Sequence, residues 1–183
     1  MDFAKGRLVV ATPLLGDPNF ERGVVFMLEH SEEGAVGLVL NRPSEVEVDT
    51  PLADWRRFAS HPEVVFVGGP VNREAVIALA RVQGSEPEEA WQRITGSMGV
   101  LDLTADADLI GGAIDQLRIF AGYAGWGPEQ LEGEIDEGAW FVVDAHPDDP
   151  FGAEPEELWR TVLRRQPDPL RRYALFPPDL RMN

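Results

Sequence analysis

The sequence predicts a single α+β domain, and three observations carry that expectation. Apolar runs of strand length, joined by short polar turns, fill the first third of the chain. Helix-like segments are interspersed among further strand-like runs rather than gathered in one block. The two kinds do not follow the regular βαβ order that would build a doubly wound parallel sheet. With 183 residues, 44% of them hydrophobic and 26% charged, the chain has the size and composition of one globular domain with a proper core. Neither an internal repeat nor a linker divides it, so residues 1–183 are taken as one unit.

Residues 8–11 read as a short apolar strand ended by Pro13. Residues 23–29 (GVVFMLE) form a near-continuous apolar run, which suits a buried strand better than a helix. Residues 31–34 have the composition of a turn, and residues 35–40 (AVGLVL) are a second buried run, so the two pair as a hairpin. Residues 41–44 stop that strand. Thr50 is placed to cap a short helix from Pro51 to Ala59, its hydroxyl satisfying a free amide while proline suits the first turn.

Residues 64–67 are another buried strand, running into Gly68, Gly69 and Pro70. Residues 75–82 fit a helix or a strand equally, and residues 84–89 form a polar loop expected to be mobile. Beyond them, residues 100–103 read as a strand. Residues 106–116 read as a helix weakened by Gly111 and Gly112. Residues 117–123 return as a strand, and residues 128–137 make a short acidic helix that Gly138 ends. A strand over 139–143 leads into the loop 146–150. The chain then forms an amphipathic helix over 155–165 with Leu158, Trp159, Val162 and Leu163 on one side.

Composition narrows the function classes. Cysteine is absent, which removes disulfides, thiolate nucleophiles and thiolate zinc sites, and suits a reducing compartment. No export signal is legible, and no run approaches the ~18 apolar residues of a membrane helix, so a soluble cytoplasmic protein without membrane contact is expected. The net charge of −16 sits in the middle of the chain: residues 84–157 hold 18 acids against two arginines. Such a surface repels nucleic-acid phosphates at long range and disfavours direct nucleic-acid binding. The basic tail around Arg164, Arg165, Arg171 and Arg172 lacks aromatic interleaving and a helix-turn-helix pattern.

Motifs for chemistry are sparse. The three histidines, His30, His61 and His146, never stand three or four residues apart, so no local zinc motif exists and no metal or cofactor is expected. Asp144, Asp148 and Asp149 lack the spacing of a calcium loop. No serine occupies a G-x-S-x-G elbow, and no catalytic residue can be nominated. The glycine clusters at 68–69 and 122–127 match neither the dinucleotide fingerprint nor a P-loop. Either could hold an anion through backbone amides, although tight chain reversal explains the glycines as well.

Five blocks carry a resemblance: LVVATPLLGDPNF at 8–20, EHSEEGAVGLVLNRP at 29–43, GGPV at 68–71, GYAGWGPEQLEGEI at 122–135, and the helix around Trp159. Together they resemble the AlgH/YqgE family across nearly the whole chain, with one small departure at Glu129, where glycine is common. The resemblance implies an α+β domain whose bifurcated, mostly antiparallel sheet curls into a partial barrel with flanking helices. It also implies a cytosolic bacterial protein of a family often labelled transcriptional regulators, a label that names no site.

On these grounds the expectation is a non-enzymatic binding or regulatory module for a protein or small ligand. A hydrolase using a carboxylate or His30 with a metal, or a transcriptional regulator, stand as alternatives. Three loops, 17–20, 41–43 and 123–132, are the expected surface, because polar, glycine-bounded and aromatic residues accumulate there without periodicity. The candidate residues are Asp17, Asn19, Asn41, Arg42, Tyr123, Trp126, Gln130 and Glu132. Each could equally serve turns or packing.

Overall fold

The computed structural model describes residues 3–49 and 52–177. Strands β1 (Leu8–Ala11), β2 (Val24–Ser31) and β3 (Gly34–Val39) form an antiparallel meander, with β2 and β3 joined through Glu32 and Glu33. The expected hairpin is therefore present. Its apolar runs are continuous because both faces are covered. Val24, Phe26 and Leu28 enter one core cluster with Trp159 and Leu163, while Val25 and Met27 enter a second with Trp126 and Trp140.

Next come β4 (Pro43–Glu47), a 3-10 helix at Ala53–Phe58, and β5 (Val64–Val67). The 3-10 helix stands where a helix from Pro51 was expected; Thr50 and Pro51, and so the expected cap, lie outside the described residues. The ambiguous segment at 75–82 is a strand, part of β6 (Val71–Val82). β7 (Trp91–Thr95) and β8 (Met98–Leu101) follow, the latter beginning two residues before the expected strand.

One expectation is overturned. Residues 106–116 do not form a helix: α1 is confined to Ala107–Ile110, a 3-10 turn covers Gly111–Ala113, and the long β9 (Ile114–Trp126) has already begun. The start signal was sound, since Asp106 accepts a hydrogen bond from the Asp108 amide at 2.9 Å. Gly111 then packs so closely on Phe58 that an added Cβ would lie 2.3 Å from its ring, and the chain enters the sheet instead of continuing the turn. α2 (Gln130–Asp136), β10 (Trp140–Val143), α3 (Leu158–Arg164) and α4 (Leu170–Tyr173) complete the order. Gly138 ends the α2 segment with a φ of +84°. Leu158, Trp159, Val162 and Leu163 are all buried, and the Trp159 indole donates to Ala11 O at 2.8 Å, seating α3 on β1.

The strands form one sheet in the order β10-β1-β2-β3-β9-β6-β8-β7, antiparallel along that path and curled into a half-barrel. β9 is the point of division. One edge pairs with β6 along most of its length, whereas the other pairs with β3 at residues 124–126 and with β5, in parallel, at residues 120–121. The sheet therefore forks at Gly122 and Tyr123. Among the described residues no helix is long and apolar enough to cross a membrane.

Candidate functional site

The fork is closed by backbone, not by side chains. The Gly68 amide donates to Ala121 O at 2.9 Å, and Gly68 O accepts from the Val39 amide at 2.8 Å, so this one peptide segment joins both arms. Gly69, with a φ of +154°, passes so close over β9 that an added Cβ would lie 2.2 Å from the Tyr123 carbonyl carbon. Gly122, with a φ of +77°, faces it, and a Cβ there would lie 2.6 Å from Gly69 O. Two of the glycines read from sequence as a turn are thus required by a close backbone crossing.

Beside that crossing lies an open cleft of about 240 Å³, lined by Asn19, Arg42, Val67, Gly69, Pro70 and Arg73 among others. Loops 17–20 and 41–43 meet here. Asp17 fixes the first: its carboxylate accepts from the Asn19 amide at 2.9 Å, and its carbonyl accepts from the Phe20 and Glu21 amides. Arg42 is half-buried and held by carbonyl oxygens, donating to Glu21 O and, at 3.3 Å, to Asn41 O. Burial lowers its pKa from the ordinary arginine value, partly offset by the charge of Glu21. Arg73 is exposed at the start of β6. Among the described residues neither Arg42 nor Arg73 forms an ion pair within 4.0 Å.

The other sequence-nominated residues do different work. Asn41 is buried, accepting from the Val24 amide at 3.0 Å and donating to Arg22 O at 2.9 Å, a clamp between β2 and the start of β4. Tyr123 is half-buried at the fork and packs against the first core cluster. Trp126 is buried, stacked on Phe20 at 6.1 Å and edge-on to Trp140 at 5.9 Å. Gln130 accepts from the Gly127 amide at 3.0 Å and so shapes the turn before α2. The third loop therefore contributes no side chain to the lining of the cleft and stands beside it only through the Tyr123 backbone that Gly69 crosses.

Glu132 pairs with the buried His30. His30 Nδ1 accepts from the Ala4 amide at 2.8 Å, which places the ring proton on Nε2, where it donates to Glu132. Burial opposes ionisation of Glu132, but the hydrogen bonds from His30 and from backbone outweigh it and hold the carboxyl below its usual range. Both ring nitrogens are engaged, so the pair ties the N-terminal segment to β2 and α2 and leaves the imidazole no free lone pair for a metal or a substrate proton. The acidic loop behaves likewise: Asp144 meets Arg7, Asp148 meets Arg81, and Asp149 meets Arg165. Among the described residues no three His, Asp or Glu side chains gather as metal ligands.

Two arginines went unnominated by the sequence. Arg73 follows a glycine-proline turn with no pattern around it. Arg118 did leave a signal, a lone cation inside the apolar run of β9. It is 2% exposed, lies 4.2 Å from the Phe66 ring centre, and donates to four carbonyls: Ser60, His61, Pro150 and Gly152. Burial pushes its pKa down to about 10, which still leaves it charged at neutral pH.

Comparison with known proteins turns on coverage. The AlgH-like family model matches residues 8–171, which takes in every strand and both arms of the fork. The chain belongs to the AlgH-like family. The UPF0301 protein SCO2948 of Streptomyces coelicolor is 51% identical over 182 residues, covering 97% of this chain and 94% of that protein. A UPF0301 protein of Mycobacterium tuberculosis is 41% identical over 181 residues, covering 97% and 90%. Among solved structures, the crystal structure of DIP2367 from Corynebacterium diphtheriae superposes with a TM-score of 0.90 at 33% identity, covering 96% of this chain and 94% of that one. The solution structure of AlgH from Pseudomonas aeruginosa gives a TM-score of 0.70 at 28% identity, covering 96% and 95%. This AlgH-like domain therefore has the half-barrel that the resemblance implied, and the function of the UPF0301 relatives is uncharacterised.

Proposed function

We propose that this AlgH-like domain is a non-enzymatic binding module whose ligand site is the cleft at the fork of the sheet. The observation that carries the reading is convergence: loops 17–20 and 41–43 and the segment 69–73 meet at one concave surface with polar side chains on it. The crossing of Gly69 over Tyr123 gives that surface a rigid floor, as recognition without large rearrangement requires. His30, the residue the hydrolase alternative would use with a metal, has both ring nitrogens engaged by the Ala4 amide and Glu132, which argues against that alternative. Any regulatory role would be exercised through what binds at the cleft.

The test is a nitrogen-15 NMR screen of the folded protein against a library of small fragments, charged and neutral. Shift changes should cluster at the amides of Asn19, Arg42, Gly69 and Arg73. Hits confined to other surfaces, or none at all, would remove the cleft from consideration.

A further inference from the structure

We infer that the cleft recognises an oxyanion, a phosphate or carboxylate group carried by a small molecule; the inference rests on the binding reading above. The protein carries 32 acidic against 16 basic residues, yet the lining of this cleft contains two guanidinium groups and no carboxylate. Three other clefts of the molecule contrast with it, since Asp144, Glu86 and Asp54 respectively stand in their linings. Several other arginines are matched by acids, among them Arg57 by Asp108, Arg81 by Asp115 and Asp148, and Arg165 by Asp149, while Arg118 is buried and spent on four carbonyls. Arg42 and Arg73 line this cleft without such a partner among the described residues.

Their surroundings favour an anion over a neutral ligand. Arg42 is oriented by the carbonyls of Glu21 and Asn41, which fix its planar fork without neutralising it. Burial already disfavours its charged form, so an anion placed against it would compensate a cost the free protein carries. Asn19 also lines the cleft, its backbone amide held by the Asp17 carboxylate. Nearby acids work against binding but stand outside the lining: the charge of Glu21 acts on Arg42, Asp17 is engaged with the Asn19 amide, and Glu74 follows Arg73 in the chain. The net charge of −16 repels an approaching anion, but at physiological salt charges beyond about 8 Å are largely screened, so the local pair of cations decides affinity. No aromatic ring lines the cleft and its volume is about 240 Å³, so it fits an acid or phosphate headgroup rather than a stacked base.

The experiment titrates the intact protein with inorganic phosphate in one arm and citrate in the other, at constant ionic strength, following amide shifts and heat. Wild type should bind at least one probe saturably, one per chain, with shifts at Asn19, Arg42, Gly69 and Arg73. Arg42→Gln and Arg73→Gln should each weaken it about tenfold or more, while Arg171→Gln, outside the lining, leaves it unchanged. The stronger arm identifies the headgroup. Melting curves accompany each variant; Arg73 is exposed, so if Arg42→Gln fails to fold, Arg73→Gln alone decides. Absence of saturable binding in both arms, or binding indifferent to Arg73→Gln, overturns the inference. If neutral fragments occupy the cleft while both anions fail, the anion assignment falls and the binding reading survives; if nothing binds there, both fall.

Discussion

Replacing Arg118 by methionine isolates the contribution of a buried cation that no carboxylate partners among the described residues. Methionine keeps a flexible apolar stem against Phe66 but offers no donor, so four carbonyls lose their guanidinium. They do not lose equally. His61 and Gly152 are exposed residues whose carbonyls can turn to water, whereas the bonds to Ser60 O and Pro150 O are buried. Two orphaned buried acceptors cost about 1–3 kcal/mol each. Against that stands the relieved desolvation of the cation, the same cost that holds its pKa down at about 10. The net expectation is a loss of about 3 kcal/mol, which for a urea m-value of about 2 kcal/mol per molar lowers the unfolding midpoint by about 1.5 M.

Tryptophan fluorescence during urea titration reads that midpoint. A folded-state pKa lowered to about 10 means that the native state sheds its proton before the unfolded chain does, so the burial cost eases only as pH rises through about 10. The difference between wild type and Arg118→Met should therefore be flat from about pH 5 to about pH 9. A midpoint shift below about 0.5 M would show that all four carbonyls rehydrate freely, and that Arg118 does not tie β9 to the segments at 60–61 and 150–152.

Four further outcomes are expected. Glu132→Gln keeps an acceptor for His30 but loses its charge, so it should be about 1 kcal/mol less stable at neutral pH. Because the Glu132 pKa is lowered in the fold, that advantage is present above its ordinary value of 4.5 and lost as pH falls through the folded value; melting curves of both proteins should converge in acid. Gly69→Ala should cost more than about 2 kcal/mol in denaturant unfolding, because its Cβ meets the Tyr123 backbone at 2.2 Å. Gly84→Ala, at a φ of +70° with nothing within 4 Å, should cost only about 1 kcal/mol. Trp126→Ala removes the ring that packs on both Phe20 and Trp140, and should cost about 3–5 kcal/mol with loss of near-ultraviolet circular dichroism.

Elements were legible in the sequence where burial leaves a pattern in the apolar residues. The runs in β2 and β3 could be read because cores lie on both faces, and the α3 stripe because it has one face on the sheet. β4 escaped notice for the opposite reason: Glu45, Val46 and Glu47 are exposed and Pro43 opens the strand, as suits an irregular edge. The error at residues 106–116 shows how far a cap carries. Asp106 starts a helical turn as its sequence promises, but Ile114, Asp115 and Leu117 have the alternating burial of β9, and pairing with β6 takes over once Gly111 packs on Phe58.

The candidate surface could be read only as far as residue type, because polar loop residues look alike whether they serve backbone or ligand. Asp17, Asn41 and Gln130 all carry the side-chain chemistry of a binding site, and in the fold all three satisfy nearby main-chain groups. Arg73 carries no local pattern, yet the fork at Gly122 brings it beside Arg42 from 31 positions away in the chain. What separates the two sets is the hydrogen-bonding and charge capacity left over once the backbone has been satisfied. That remainder depends on which strands pair with β9, a long-range property that no window of sequence contains. At the cleft the remainder is positive in a strongly negative protein, and a charge of that sign in a concave place is where a ligand of opposite sign gains most from the fold.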